Sequence, residues 1–104
     1  MTIDGRVIRK TRTILRRVAR RGKTITYKTL AKQLGVHWRG NFRFLLGAVC
    51  AGEIDEGRPP LTAVVVTKLG HKPQAGWYLI CRDMNVNANW GYQLGRCHGY
   101  WQKR

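Results

Sequence analysis

The stretch ITYKTLAKQLG, residues 25–35, has the pattern of a short amphipathic helix closed by a turn. Its apolar side chains keep the i, i+3, i+4, i+7 spacing of one helical side: Tyr27, Leu30, Ala31 and Leu34. Thr26 stands where an N-cap is expected, and Gly35 stands where a helix commonly ends. Residues 25–35 therefore predict the first helix of a helix-turn-helix unit.

A partner helix is expected within about residues 39–51, after the turn GVHW. Its predicted buried side consists of Phe42, Leu45, Leu46, Val49 and Cys50. Arg39, Asn41 and Arg43 stand near its start and outside the apolar stripe. A short helix, a glycine-containing turn and a second helix with a polar start form the helix-turn-helix arrangement, here over about residues 26–51.

Upstream, residues 3–21 predict a longer helix with two different sides. The apolar side chains that fall together are Val7, Ile8, Ile14, Leu15, Val18 and Ala19. The arginines that fall on the other side are Arg6, Arg9, Arg12, Arg16, Arg17, Arg20 and Arg21. Gly22 is placed to end this helix.

Downstream, GEIDEGRPP at residues 52–60 is expected to be a loop, and the β-branched run at 61–68 predicts a buried strand. Residues 77–80, WYLI, suit either a returning strand or the start of a helix. With a returning strand, residues 61–80 form a wing. A last helix is expected over about 88–102, its apolar face formed by Trp90, Leu94, Cys97 and Trp101.

The elements together predict an α+β fold in one domain over residues 1–104. It is a winged helix-turn-helix with a basic N-terminal helix, a small β-wing and a C-terminal helix. The composition, 43% hydrophobic, is enough for a packed core and argues against general disorder.

The charge is the strongest indication of a partner. The formal net charge is +15, and residues 1–43 hold 13 of the 20 basic residues with a single acid, a net +12. Charge of one sign at this density repels itself in a compact fold, and binding a polyanion is the usual use for it. Double-stranded DNA is the first candidate, and RNA or an acidic protein remains open.

Three stretches, GKTITYKTLAKQLG, RFLLGAVC and GRPPLTAVVVTKLGHKPQAGWY, occur in an order that resembles known winged-helix domains. One similar group is the DNA-binding half of alkylguanine-DNA alkyltransferases and alkyltransferase-like proteins. A second, resembling the chain more closely over roughly residues 22–101, is a set of small microbial and viral winged-helix proteins. The resemblance implies a winged-helix fold that binds DNA.

The chain departs from the alkyltransferases at their reactive motif. Those enzymes carry Pro-Cys-His-Arg after the recognition helix, whereas the matching stretch here is PPLTAVVV. It supplies neither a thiol nor a histidine, so alkyl transfer by that mechanism is excluded. Alkyltransferase-like proteins also lack the cysteine and only bind damaged DNA, so the resemblance leaves damage sensing open.

Three groups of residues are the candidate DNA contacts. Base contacts in the major groove are expected from Arg39, Asn41 and Arg43, with solvated surface as the alternative. Phosphate contacts are expected at the start of the second helix, from Thr24, Thr26 and Lys28. An N-cap role for Thr26 and a core role for the adjacent Tyr27 explain these two residues nearly as well, so Lys28 is the best candidate of the group. The wing adds Lys68, His71 and Lys72, or is an ordinary hairpin tip.

In the turn, His37 is a candidate contact, while Trp38 suits the core better than base stacking. The first helix offers a second basic surface formed by Arg9, Arg12, Arg16, Arg17 and Arg20. Such a surface suits either more nucleic acid or an acidic protein, and the residue pattern does not decide between them.

Other function classes receive little support. The cysteines Cys50, Cys81 and Cys97 match no zinc or disulfide template, so no metal or other cofactor is expected. The acids do not form a catalytic cluster, and we expect no enzyme, with a small basic nuclease as the remaining alternative. No apolar run is long enough to cross a membrane, and an intracellular protein, cytoplasmic or nucleoid-associated, is expected.

Overall fold

The computed structural model describes residues 5–35, 42–67, 73 and 75–104. Within these residues the chain forms five α-helices, one 3₁₀ turn and two short strands. In chain order they are α1 (Gly5–Arg20), β1 (Ile25–Thr26), α2 (Tyr27–Leu34), α3 (Phe42–Asp55), the 3₁₀ turn Leu61–Val64, β2 (Val65–Val66), α4 (Ala75–Met84) and α5 (Trp90–Gln102).

Helix α1 lies at the centre of the packing, against α5, the 3₁₀ turn, α3 and α2. Leu15 and Ala19 are fully buried, and the rest of the predicted apolar stripe packs around the main core, which confirms the helix and its orientation. Gly22 ends the helix with a φ of +64°, and the Lys23 amide donates back to the Val18 carbonyl at 3.2 Å. This is a Schellman motif, whose left-handed residue favours glycine.

Helix α2 forms as predicted. Thr26 accepts a hydrogen bond from the Thr29 amide at 3.2 Å, so it is the N-cap. Tyr27, Leu30 and Ala31 are buried, as the spacing indicated. Gly35 closes the helix with a φ of +68°.

Helix α3 is confirmed but extends further than expected. Residues 52–55, assigned to a loop from the sequence, continue the helix to Asp55. A Schellman motif at Gly57, with a φ of +75°, then reverses the chain: the Gly57 amide donates to the Ile54 carbonyl and the Arg58 amide to the Glu53 carbonyl, both at 2.9 Å. The helix therefore includes Glu53, and Arg58 returns alongside it.

The predicted winged helix-turn-helix is wrong, because the described residues are mostly helical and their one sheet has two strands. Leu61–Val64, expected as strand, is a buried 3₁₀ turn, and only Val65–Val66 is extended. That strand pairs in parallel with β1, with Ile25 opposite Val65 and Thr26 opposite Val66. A wing is an antiparallel hairpin, whereas these strands are separated by α2 and α3. The apolar run is thus used as core.

The returning strand is replaced by α4. Trp77 and Cys81, four residues apart, lie on one helical side and pack with Ala63 in a second small core. The Trp77 indole Nε1 donates to the Ala88 carbonyl at 3.0 Å, so the buried ring leaves no polar group without a partner. Burial of these two side chains outweighs the β-propensity of the WYLI sequence.

Helix α5 confirms the predicted C-terminal helix, beginning at Trp90 rather than 88. Asn89 is its N-cap and accepts from the Tyr92 amide at 2.9 Å. Cys97 and Trp101 are buried, and Trp90 and Leu94 pack at the edge of the smaller core. His98 Nε2 lies 2.9 Å from the Lys23 carbonyl oxygen, which ties α5 to the end of α1.

Candidate nucleic-acid interface

The side of α1 that faces away from the core is cationic. Its exposed residues include Arg9, Lys10, Thr13, Arg17 and Arg20, and Arg21 follows directly after the helix. They point outward because the opposite side carries the buried Thr11, Leu15 and Ala19 at i, i+4, i+8. Three of the five arginines proposed for the second basic surface, Arg9, Arg17 and Arg20, are thus exposed together.

The other two arginines of that set, Arg12 and Arg16, turn toward α3 and bind Glu53. Arg16 Nη2 donates to Glu53 Oε1 at 2.7 Å, and Arg12 Nε lies 3.4 Å from the same oxygen. Arg58 Nε donates to the second oxygen, Oε2, at 2.6 Å. The Glu53 side chain has 0% exposure, while the three arginine side chains are 23–28% exposed. Arg12 and Arg16 therefore have a structural role.

This cluster of Glu53, Arg12, Arg16 and Arg58 we call the Glu53 cluster. The hydrogen bond between Arg58 and Glu53 raises the pKa of the Arg58 guanidinium, so Arg58 stays charged. A buried carboxylate is stable only when its lone pairs are satisfied. Arg16 and Arg58 donate hydrogen bonds to the two oxygens, and Arg12 adds an ion pair without a hydrogen bond. Three cations around one anion leave the cluster with a net positive charge at its half-exposed rim.

Trp101 extends the cationic surface from α1 to α5. The guanidinium carbons of Arg16 and Arg20 lie 4.6 Å and 5.3 Å from the centre of the Trp101 ring, within the range of cation–π contacts. Arg104 lies 4.1 Å from the centre of the neighbouring Tyr100 ring. These stacked contacts restrict the directions in which the flexible arginine side chains project.

At the start of α2, Thr24 and Lys28 are exposed, and Thr26 is half-buried. Thr26 is occupied as N-cap, and its hydroxyl also lies 2.9 Å from that of Thr29. Lys28 has an exposed neighbour one turn on, Lys32, which the sequence-based site did not include. Lys28 and Thr24 thus have the exposure that a phosphate contact needs.

Arg43 is exposed in the first turn of α3. Its guanidinium carbon lies 5.1 Å from the centre of the Phe44 ring, and its aliphatic carbons lie beside Gly76 of α4. Solvated surface was the alternative to a base contact here. Arg43 remains a candidate contact, now with a defined packing partner.

Several candidate contacts lie outside the described residues. They are His37, Arg39, Asn41, Lys68, His71 and Lys72, and Trp38 lies there as well. The turn of the expected helix-turn-helix, residues 35–38, lies mostly outside the described residues, and so does the tip of the expected wing.

The acids of the described part lie outside α1 and α2, and the buried one is enclosed by arginines. From residue 5 to residue 52 the sequence contains no Asp or Glu, and the next acid, Glu53, is enclosed by arginines. The exposed acids of the described part, Asp55, Glu56 and Asp83, stand at the C-terminal ends of α3 and α4. The surface of α1 and α2 therefore carries charge of one sign.

The cysteines are buried and reduced. Burial raises the pKa values of Cys50 and Cys97 from 9.0 to about 12, and it raises that of Cys81 as well. A thiol so placed is a poor nucleophile and a poor metal ligand. The described residues contain no group of three or more His, Cys, Asp or Glu that could hold a metal ion.

Sequence reasoning missed the Glu53 cluster, although a signal for it was present. Glu53 lies four residues after Val49 and three after Cys50, so it continues the buried side of α3. A carboxylate on a buried stripe needs cationic partners, and α1 offered several. Which arginines would be used depends on how α1 and α3 cross, and that is a tertiary property.

Comparison with protein-family models, curated proteins and solved structures gave no match to this chain. The resemblance to alkyltransferase and small winged-helix domains stays a prediction, apart from its winged-helix fold, which the structure corrects. None of the described helices has the length and apolar character that a membrane crossing requires.

Proposed function

We propose that this protein binds double-stranded DNA through the exposed basic side of α1, with further contacts from the start of α2 and from Arg43. The observation that carries the proposal is the separation of charge: an exposed cationic helix in a region of sequence without acids, whose next acid is buried and already neutralised. Solubility alone is served by a surface that mixes positive and negative side chains. The surface of α1 and α2 carries only positive ones, so solubility does not explain it.

The dimensions of α1 suit a duplex. Arg9 and Arg20 are eleven residues apart, which corresponds to roughly 16 Å along a helix. Duplex DNA carries one phosphate per about 1.7 Å of axis, so this length of helix lies near several phosphates. The alignment of Arg9, Thr13 and Arg17 at intervals of four residues places polar groups on one line along the helix.

Any recognition of the DNA base sequence is assigned to the start of α3. Arg43 pairs well with guanine edges by virtue of its fork of donors, and in the sequence it follows the candidate contacts Arg39 and Asn41 by four and two residues. Lys28 and Thr24 supply phosphate contacts that orient the protein on the backbone. Non-specific affinity is assigned mainly to α1.

The test is a salt titration of binding to random duplex DNA, single-stranded DNA and structured RNA of equal length. Tight duplex binding that weakens steeply with salt supports the proposal, because counterion release scales with the phosphates neutralised. Tighter binding to structured RNA makes RNA the partner. Salt-independent or negligible binding to all three contradicts nucleic-acid binding and favours an acidic protein.

Variants locate the surface. The set Arg9→Gln, Arg17→Gln and Arg20→Gln removes three exposed charges from α1 and leaves Arg12 and Arg16 on Glu53. A matched control, Arg82→Gln, Arg96→Gln and Lys103→Gln, removes three exposed charges from α4 and the α5 region. The α1 set is expected to lose roughly tenfold or more in affinity and the control much less. Equal losses would mean that only net charge matters.

A further inference from the structure

A groove with a volume of about 520 Å³ runs between α3 and α4. Small side chains of α3 form part of its lining, at Gly47, Ala48 and Ala51. Phe44 and Leu79 line it from the two helices and are 58% and 37% exposed. Together with the neighbouring Tyr78, they are three of the four large hydrophobic side chains that are exposed in the described part of the chain. The groove therefore exposes apolar side chains of both helices between charged residues.

The sequence of α3 is unusual for a helix with a solvent-facing side. Residues 44–52, FLLGAVCAG, contain no charged or strongly polar side chain. One side of this segment, with Leu45, Leu46 and Val49, is buried in the core. The side along the groove, from Phe44 to Ala51, is apolar as well. A helix that is apolar all round is normally covered all round, which indicates an occupant for the groove.

The groove is lined by two cations, Arg43 and Arg82, and by one anion, Asp83, which lies 3.5 Å from Arg82. Its local charge is therefore weakly positive. The whole chain carries +15, so a second copy is repelled and a negatively charged partner is attracted.

We propose that this groove docks an amphipathic helix of an acidic partner protein. Apolar residues of that helix, at i, i+3 or i+4, and i+7, fill the space over Ala48 and Ala51 and contact Phe44 and Leu79. Its flanking carboxylates pair with Arg43 and Arg82. Phe44 and Ala51 are seven residues apart, roughly 10 Å along α3, which matches two turns of a docked helix.

The experiment uses the full chain and a labelled peptide probe. The probe is a 14-residue helix former with Leu at i, i+3, i+4 and i+7 and Glu at the flanking positions. A second peptide has Lys in place of Glu, and a third has the order of the acidic peptide scrambled. Fluorescence anisotropy is expected to give saturable binding of the acidic amphipathic peptide, roughly tenfold tighter than either control. Equal binding of the acidic and scrambled peptides would reduce the effect to net charge and overturn the proposal.

Variants place the peptide in the groove. Ala48→Trp fills the space and is expected to weaken the acidic peptide roughly tenfold, while Tyr92→Ala, at a side chain 55% exposed on α5, is expected to change nothing. Arg43→Glu keeps the test decisive if the tryptophan disturbs the fold, because it is expected to weaken the acidic peptide and strengthen the lysine peptide. Unchanged peptide affinity in Arg43→Glu, or self-association of the chain that Ala48→Trp abolishes, overturns the proposal.

Discussion

Arg16 Nη2 lies 2.7 Å from Oε1 of Glu53, a carboxylate with 0% exposure. The contact links α1 to α3, and Arg58 adds the segment that follows α3. Three parts of the chain thus meet at one buried charge. The arrangement divides the arginines of α1 into those that pair with Glu53 and those that remain exposed.

Replacing the buried carboxylate tests this division. Glu53→Gln is expected to lower the free energy of unfolding by about 3 kcal/mol, because it leaves three arginines without their counter-charge. The arginines are partly exposed and stay partly hydrated, so this loss is at the lower end of the range for a broken buried ion pair. Urea unfolding measures it. Asp55→Asn, in the same helix but exposed, is the control and is expected to change stability by less than about 0.5 kcal/mol. Equal effects would mean that Glu53 contributes no more than a surface acid.

A glycine comparison tests the chain reversal after α3. Gly57→Ala is expected to cost about 1–2 kcal/mol, since Gly57 has a φ of +75° that alanine adopts only with strain. Gly95→Ala is expected to stabilise by about 0.5–1 kcal/mol, because its Cβ meets nothing within 4 Å and alanine is the better helix former. Thermal unfolding of the two variants should therefore shift in opposite directions, and a shift in the same direction would contradict the assigned backbone.

The buried thiols predict a loss of stability at high pH. The pKa of Cys50 and of Cys97 is about 12 in the folded protein, against 9.0 for an exposed thiol. Between these values the unfolded chain loses protons that the folded chain keeps, so unfolding becomes more favourable as pH rises from about 9 toward 12.

Urea unfolding across this range measures the effect, and Cys97→Ala is expected to show a shallower decline than the unmodified chain. Below pH 8 the thiols are expected to react with a disulfide reagent only after unfolding. Rapid labelling of the native protein would contradict their burial.

Thr26 was considered both as an N-cap and as a DNA contact, and substitution separates the roles. Thr26→Ala is expected to lower stability by about 1 kcal/mol through loss of the bond to the Thr29 amide. Thr26→Asn is expected to restore most of it, since Asn is an equally good cap. If Thr26 is only a cap, DNA affinity of the Asn variant equals that of the original chain, and a persistent loss would assign Thr26 to the interface.

The proposed α1 surface makes a quantitative prediction for salt dependence. Each phosphate neutralised contributes about 0.9 to the slope of log affinity against log salt on duplex DNA. The set Arg9→Gln, Arg17→Gln and Arg20→Gln is therefore expected to reduce the slope by roughly 2.7. Binding isotherms at four or more salt concentrations measure it. An unchanged slope would place the phosphate contacts elsewhere on the protein.

The sequence by itself determined the features that depend on local spacing. Helical periodicity predicted the apolar stripes of α1, α2 and α5. Backbone preference predicted the N-cap at Thr26 and the helix ends at Gly22 and Gly35. The concentration of positive charge was likewise evident from the composition. These properties belong to one segment at a time, so no knowledge of its neighbours was needed.

Tertiary structure decided which segments meet. The WYLI segment becomes helix because Trp77 and Cys81 are buried against Ala63, and β2 pairs with β1 because the packing brings them side by side. Arg12 and Arg16 of α1 pair with Glu53 because the packing of α1 against α3 brings them together. The secondary-structure preference of a short apolar run is weaker than the free energy gained by burying it. The ion-pair partner of an arginine is fixed only by how the helices cross. Both features are therefore set by contacts between distant parts of the chain.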